Sequence, residues 1–147
     1  MKHALFAVIC FLLILSACRK NNDTSEISGS WKLIEVYDKN TGTVSHSPAG
    51  STMDVVITFL NRSKFAGHTL RNSLTDGTFT QNGNEIDFGN FSMTKINEDQ
   101  WGGSFLTVLY ACSLQSMVPC APSKIVIQGN TMEITTPLRY DIKLERL

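Results

Sequence analysis

What this chain lacks first is net charge: its 13 Lys and Arg balance 13 Asp and Glu. So even a surface offers no basic footprint for nucleic acid, whose recognition rests on phosphate contacts from Lys and Arg. Long apolar runs are missing as well. The run at the start, Ala4 to Leu15, is twelve residues. As a helix rising about 1.5 Å per residue it reaches roughly 18 Å, short of the ~30 Å hydrocarbon core of a bilayer, so a permanent span is not expected there. The short patterns that carry common enzyme chemistry are absent too. There is no Gly-x-Ser-x-Gly, no His-Glu-x-x-His, no phosphate-binding glycine loop and no Cys-x-x-Cys, hence no local pairing of nucleophile with base or of metal ligands.

The start reads instead as a segment removed before folding. Lys2 places a positive charge ahead of an apolar run of signal length. Leu15-Ser16-Ala17-Cys18 follows, and it resembles the lipobox of bacterial lipoproteins, in which small residues precede a cysteine. The resemblance implies a diacylglyceryl group on the Cys18 thiol and cleavage just before it; an ordinary secretory signal with a chance cysteine is the alternative. Residues 1–17 are then a signal peptide, and 130 of the 147 residues remain, one domain by size. Loss of Lys2 leaves 12 basic against 13 acidic residues, so membrane contact is expected through the lipid, with several acyl chains holding where one does not. Residues 18–28 are read as the lipidated cysteine and a flexible polar tether, RKNNDTSEIS, reaching at most about 33 Å. The expected location is the bacterial envelope, anchored at the outer membrane on its periplasmic or its outer face.

From residue 29 to 147 the dominant period is two, that of half-buried strands. Met53, Val55, Ile57 and Phe59 alternate with Asp54, Val56, Thr58 and Leu60; Leu138, Tyr140, Ile142 and Leu144 alternate with Arg139, Asp141, Lys143 and Glu145. Turn chemistry sets the register of two hairpins. Asn82-Gly83 as a two-residue turn places Phe79 opposite Ile86 and Thr80 opposite Glu85, and Gly129-Asn130 places Ile127 opposite Met132 and Ile125 opposite Ile134. Asp76-Gly77 is read as a further turn, because its surroundings lack the alternating acidic ligands of a calcium loop. One segment breaks the period: Phe105, Val108, Leu109 and Cys112 fall at i, i+3, i+4 and i+7, a helical stripe. Ser104 is its expected N-cap, after a flexible Trp101-Gly102-Gly103, and Pro119 and Pro122 bar its continuation. The expected fold is mainly β, a single closed antiparallel barrel-like domain of about eight strands with one packed helix.

The order of these elements resembles the META domain family, small lipocalin-like β domains of bacterial envelope lipoproteins. The matching residues are Trp31 and Leu33 in the first strand, then Gly67, Asn72, Gly77 and Phe79 in FAGHTLRNSLTDGTF. Ile86 and Phe88, Met93 and Thr94, the helical Phe105 and Leu109, and Gly129-Asn130 follow in order. The resemblance covers residues 30 to 147. It departs at Arg71, where the family often has cysteine. It implies a lipocalin-like barrel in an envelope setting and carries no catalytic residues to transfer.

With Cys10 in the signal and Cys18 lipidated, Cys112 and Cys120 are the remaining thiols. In an oxidising compartment an even remainder points to a disulfide, stabilising by roughly 2.5 kcal/mol for so short a loop; a metal pair or a redox site is the alternative. His46 and His68 have no neighbouring nucleophile and carboxylate and are expected to be solvated or hydrogen-bonded. No catalytic residue, metal or cofactor is therefore expected beyond the lipid on Cys18. The stretch Asp38 to Thr52, DKNTGTVSHSPAGST, is read as a long loop able to host binding, with His46 in it. Trp101 is a second binding candidate, as a cover for a ligand or simply as a staple for the helix start, and Asn72 is a third. The expected function is that of a membrane-anchored, non-catalytic module for binding or protein contact. A carrier of a small apolar ligand and a stress-related structural protein of the envelope are the alternatives. Phe79, Phe88 and Phe105 are expected to fill the interior rather than line a large cavity.

Overall fold

The structure is a computed structural model that describes residues 27–112 and 122–147. The signal segment 1–17, Cys18, most of the expected tether and Cys120, with the bridge that needs it, lie outside those residues. Among the described residues, ten strands and one α-helix follow in chain order. They are β1 (Gly29–Asp38), β2 (Thr43–His46), β3 (Val56–Phe59), β4 (Lys64–His68), β5 (Ser73–Asn82), β6 (Glu85–Phe88), β7 (Ser92–Met93), α1 (Gln100–Leu109) with a 3-10 turn at Tyr110–Cys112, β8 (Ser123–Gln128), β9 (Thr131–Thr135) and β10 (Tyr140–Arg146). Eight of the strands close a barrel in the order β1-β3-β4-β5-β6-β8-β9-β10, and β10 returns to β1; β2 adds to β1 and β7 to β5. All pairings are antiparallel, as short hairpin connections require. The mainly β fold with one helix is as expected.

Alternation in the sequence becomes an inside and an outside. Ile142 and Leu144 of β10, and Ile125, Met132 and Ile134 of the β8–β9 hairpin, point into the core. The β8–β9 register is the expected one, with Ile127 opposite Met132 across Gly129-Asn130, where Gly129 takes φ +60°. In β1 the phase changes. Trp31 and Leu33 are buried, the register slips against β10 between Leu33 and Glu35, and Val36 and Asp38 are buried beyond it. The extra residue, Ile34, is a β-bulge that re-aims the rest of the strand. It turns a carboxylate, Asp38, toward the mouth of the barrel.

Several expectations are corrected. The β5–β6 hairpin turns on Gly83-Asn84 rather than Asn82-Gly83, so Phe79 faces Phe88, and Gln81 faces Ile86. Glycine leads that pair with φ +59°, the order a II′ turn uses, and the shift of two residues keeps every side chain on its original face. Asp76-Gly77 is no turn: both lie within β5, where the register slips against β4 and Asp76 takes φ +55°. Gly77 there lets the Phe65 ring lie across the strand, since a Cβ would stand 2.6 Å from that ring. Met53 is exposed, and β3 begins at Val56. The expected loop 38–52 contains β2, held to β1 by pairs from Glu35↔His46 to Asp38↔Thr43. Ile27, at the end of the expected tether, is buried in the core, where its carbonyl accepts from Trp31 Nε1 at 2.8 Å.

The helix also starts earlier than expected. Asp99, not Ser104, is the N-cap, its carboxylate accepting from Gly102 N at 2.9 Å. Ser104 lies inside the helix and donates to the Gln100 carbonyl at 2.8 Å. Trp101-Gly102-Gly103 is therefore the first turn and not a hinge. Trp101 extends the stripe of Phe105, Val108 and Leu109 by one turn, and all four are buried. The helix packs on β10 and β1, and its 3-10 extension reaches β6, so together they cross between opposite sides of the barrel.

The remaining interior is filled by rings. Phe59 and Phe79 meet edge to face at 5.0 Å, Phe65 and Phe88 at 5.6 Å, and Phe59 lies 6.4 Å from Phe88. Phe105 belongs to the same core and is fully buried, so Phe79, Phe88 and Phe105 all lie in the core.

Candidate functional site

The turns at residues 60–63, 83–84 and 129–130 gather at one end of the barrel. At the other end, β1 finishes, β10 begins, and the 69–72 loop and the start of α1 come together. The site is built there. Asp38, aimed inward by the bulge, meets Arg139, whose Nε donates to both carboxylate oxygens at 3.0 Å and whose terminal nitrogen donates to Oδ2. The Asn40 amide adds a third donor at 3.0 Å. The Arg139 hydrogen bonds outweigh the partial burial of the group and hold its carboxyl at about 2, below the usual 3.8. Arg139 in turn lies over the Tyr140 ring, 4.9 Å from its centre.

Beside this pair, the 69–72 loop is tied to residues 94–98 by buried polar groups. Asn72 Nδ2 donates to the Ile96 carbonyl at 2.9 Å and to Glu98 at 2.8 Å; its Oδ1 accepts from Ile96 N at 2.9 Å and from Thr94 at 3.1 Å. Thr69 Oγ1 donates to the same Glu98 oxygen and accepts from Asn72 N at 2.9 Å. Glu98 is then pinned against the helix start, where a Cβ on residue 102 would stand 2.6 Å from its carboxyl carbon. Gly102 is needed for that approach. Outside the knot, Arg71 donates to the Asn97 carbonyl at 3.2 Å and its Nε lies 3.8 Å from Asp99.

Between these two fixed clusters and β2 lies a cleft of about 430 Å³. Val36, Asp38 and Tyr140 border it from the barrel, and Thr43, Ser45 and His46 from β2. Leu70 comes from the loop, and Asp99, Gln100, Trp101 and Ser104 from the helix start. The volume falls in the range of small-molecule pockets, roughly 300–1,000 Å³. Trp101 is 6 % exposed, and its Nε1 is buried with no hydrogen-bond partner among the described residues. A buried donor left unpaired costs about 1–3 kcal/mol, so an indole N–H in this state is uncommon.

The structure brings two of the three sequence candidates together and sets the third apart. Trp101 and His46, 55 positions apart in sequence, border the same cleft. Asn72 does not: all its side-chain hydrogen-bonding groups are used within the fold, and it positions Leu70 and Glu98 instead of meeting a ligand. His46 stands largely in solvent with Nδ1 3.9 Å from Glu35, and His68 Nδ1 lies 3.3 Å from the Thr69 carbonyl. Among the described residues, no three His, Cys, Asp or Glu side chains are grouped to hold a metal ion. Sequence reasoning missed the Asp38–Arg139 pair, whose members are 101 residues apart. The faint signal for it was a carboxylate ending an otherwise apolar-phased strand.

No family model matches the chain, and no curated protein does. Among solved structures, it is similar to a protein from Burkholderia xenovorans determined by NMR, with a TM-score of 0.60 and 16% identity over 84% of this chain and 86% of that one. It is also similar to a DUF4847 family protein from Bacteroides vulgatus ATCC 8482, with a TM-score of 0.56 and 15% identity over 81% of this chain and 92% of that one. At such identities the likeness is one of fold.

Proposed function

We propose that this protein is a lipid-anchored, non-catalytic binding module of the bacterial envelope, with the META-like barrel as its scaffold and the mouth cleft as its binding site. The observation that carries the reading is the contrast between a ring-filled interior and an open cleft of about 430 Å³, walled by side chains from four separate parts of the chain. A filled interior leaves no room for a long apolar guest inside the barrel, which disfavours a lipocalin-like carrier. The META reading is supported by two family glycines with physical work to do. Gly67 lies where a Cβ would stand 2.2 Å from the Val56 carbonyl oxygen, and Gly77 lies under the Phe65 ring.

Two experiments test the reading. Cys18→Ala should move folded protein from the membrane fraction to the soluble one, and retention in the membrane would remove the lipid anchor. A fragment screen by amide chemical shifts, spanning neutral, charged and apolar fragments, should give responses clustered on residues 43–46, 70–71 and 99–104. A screen in which no fragment perturbs that cluster removes the binding module.

A further inference from the structure

The chemistry of the wall narrows what the cleft can hold. Two carboxylates face it, and each already has an arginine. Asp38 is engaged by Arg139 and by the Asn40 amide; Asp99 gives one oxygen to Gly102 N and has Arg71 3.8 Å from the other. Among the described residues, neither arginine nor any lysine is part of the wall. A phosphate or sulfate would therefore meet carboxylates whose arginines are already taken, and an amine would meet carboxylates already neutralised.

The remaining polar groups are of the two-way kind. The hydroxyl of Ser45, the carboxamide of Gln100 and the imidazole of His46 each can donate and accept, and all three side chains are exposed at the rim. Leu70 and Val36 add apolar surface between them. Groups that donate and accept in alternation over a small apolar patch match a molecule whose own hydroxyls do the same. An acyl chain would leave them unpaired. The Trp101 indole N–H is buried out of reach of solvent, so the rim groups are the ones a ligand meets.

Resting on the binding reading above, we propose that the cleft takes a neutral, hydroxylated small molecule of the size of a sugar ring or a short polyol, whose hydroxyls pair with Ser45, His46 and Gln100. The test is a titration of the 15N-labelled protein with glucose, maltose, glucose 6-phosphate, glucosamine and decanoate. Glucose or maltose should give saturable shifts at residues 43–46 and 99–104. Ser45→Ala, at an exposed position on β2, loses one hydroxyl and should weaken that binding about two- to tenfold, the worth of one neutral hydrogen bond. Gln100→Ala, at an exposed position with no effect on packing, should weaken it by a similar factor. Tighter binding of glucose 6-phosphate or glucosamine than of glucose overturns the neutral class, and binding of decanoate alone overturns the hydroxylated class; both leave the binding module standing. Sugar binding untouched by Ser45→Ala and Gln100→Ala overturns the assigned contacts. Silence from all five probes counts against the binding module itself.

Discussion

At the end where β3 turns into β4, the barrel is closed by rings: Phe59, Phe65, Phe79 and Phe88 lie within 6.5 Å of one another's partners, and all four are at most 2 % exposed. At the end where β1 finishes, it is held by hydrogen bonds that Asp38 accepts from Arg139 and Glu98 accepts from Thr69 and Asn72, and a cleft stands open between them. Rings give non-directional cohesion that excludes water and leaves no gap. Directional polar contacts hold loops at fixed distances without filling the space between them, which is what a binding mouth requires. One domain can be both packed and open because the two tasks are done at different ends with different chemistry.

Substitutions at each end should break this contrast differently. The largest effect is expected from Phe65→Ala, which removes a ring packed against Phe59 and Phe88 and lying over Gly77. It should cost about 3–5 kcal/mol in urea unfolding, and amide shifts around the cleft should barely change in the protein that stays folded. Asn72→Ala comes next. It strips partners from the Ile96 backbone and from Glu98, and should cost about 1–3 kcal/mol. Unlike the ring substitution, it should also displace the resonances of residues 69–71 and 94–102.

A smaller effect depends on pH. The folded-state value for Asp38 lies below its unfolded one, so the stability from its ion pair is fully present above the usual carboxylate range and is lost as pH falls through about 2. Asp38→Asn should therefore be less stable than the parent near neutral pH, and the gap should close as pH falls toward that value. Urea midpoints across the acid range measure this, and a gap that stays constant would show that the pair contributes nothing through charge. The smallest effect belongs to His46→Ala, an exposed strand end expected to change stability by less than about 0.5 kcal/mol. Its readout is the cleft: probe affinity should change where the melting temperature does not.

Much of the packed end was legible in the sequence because its signals are local. Ile125, Ile127, Met132 and Ile134 alternate about Gly129-Asn130, and pattern and turn agree on one register. The Asn82-Gly83-Asn84 run offers two turns one residue apart, which shift every partner by two and both set Phe79 against an apolar residue, so the face could be read and the partner could not. Bulges were not legible. The extra residues at Ile34 and near Asp76 are set by what the neighbouring strand presents, and they decide which way Asp38 points. At the open end, Trp101 and His46 stood out by residue type, but Asp38–Arg139 and Glu98–Asn72 are tertiary pairs with no local trace. The glycines after Trp101 suggested a flexible hinge, while in the fold Gly102 makes room for the Glu98 carboxylate.

The seam of the barrel joins β1 to β10, the first and last strands described, with Trp31 opposite Arg146 and Asp38 opposite Tyr140. During synthesis the ribosome makes every other strand before the one that completes the circle. Until β10 emerges, the edge of β1 that it covers is bare, and the cost of closing so long a loop is not offset by the contacts that reward it. The growing chain thus cannot close its barrel until β10 is available. A fragment that ends before β10 would leave β1 and β9 as two raw edges, each a template for pairing with another chain.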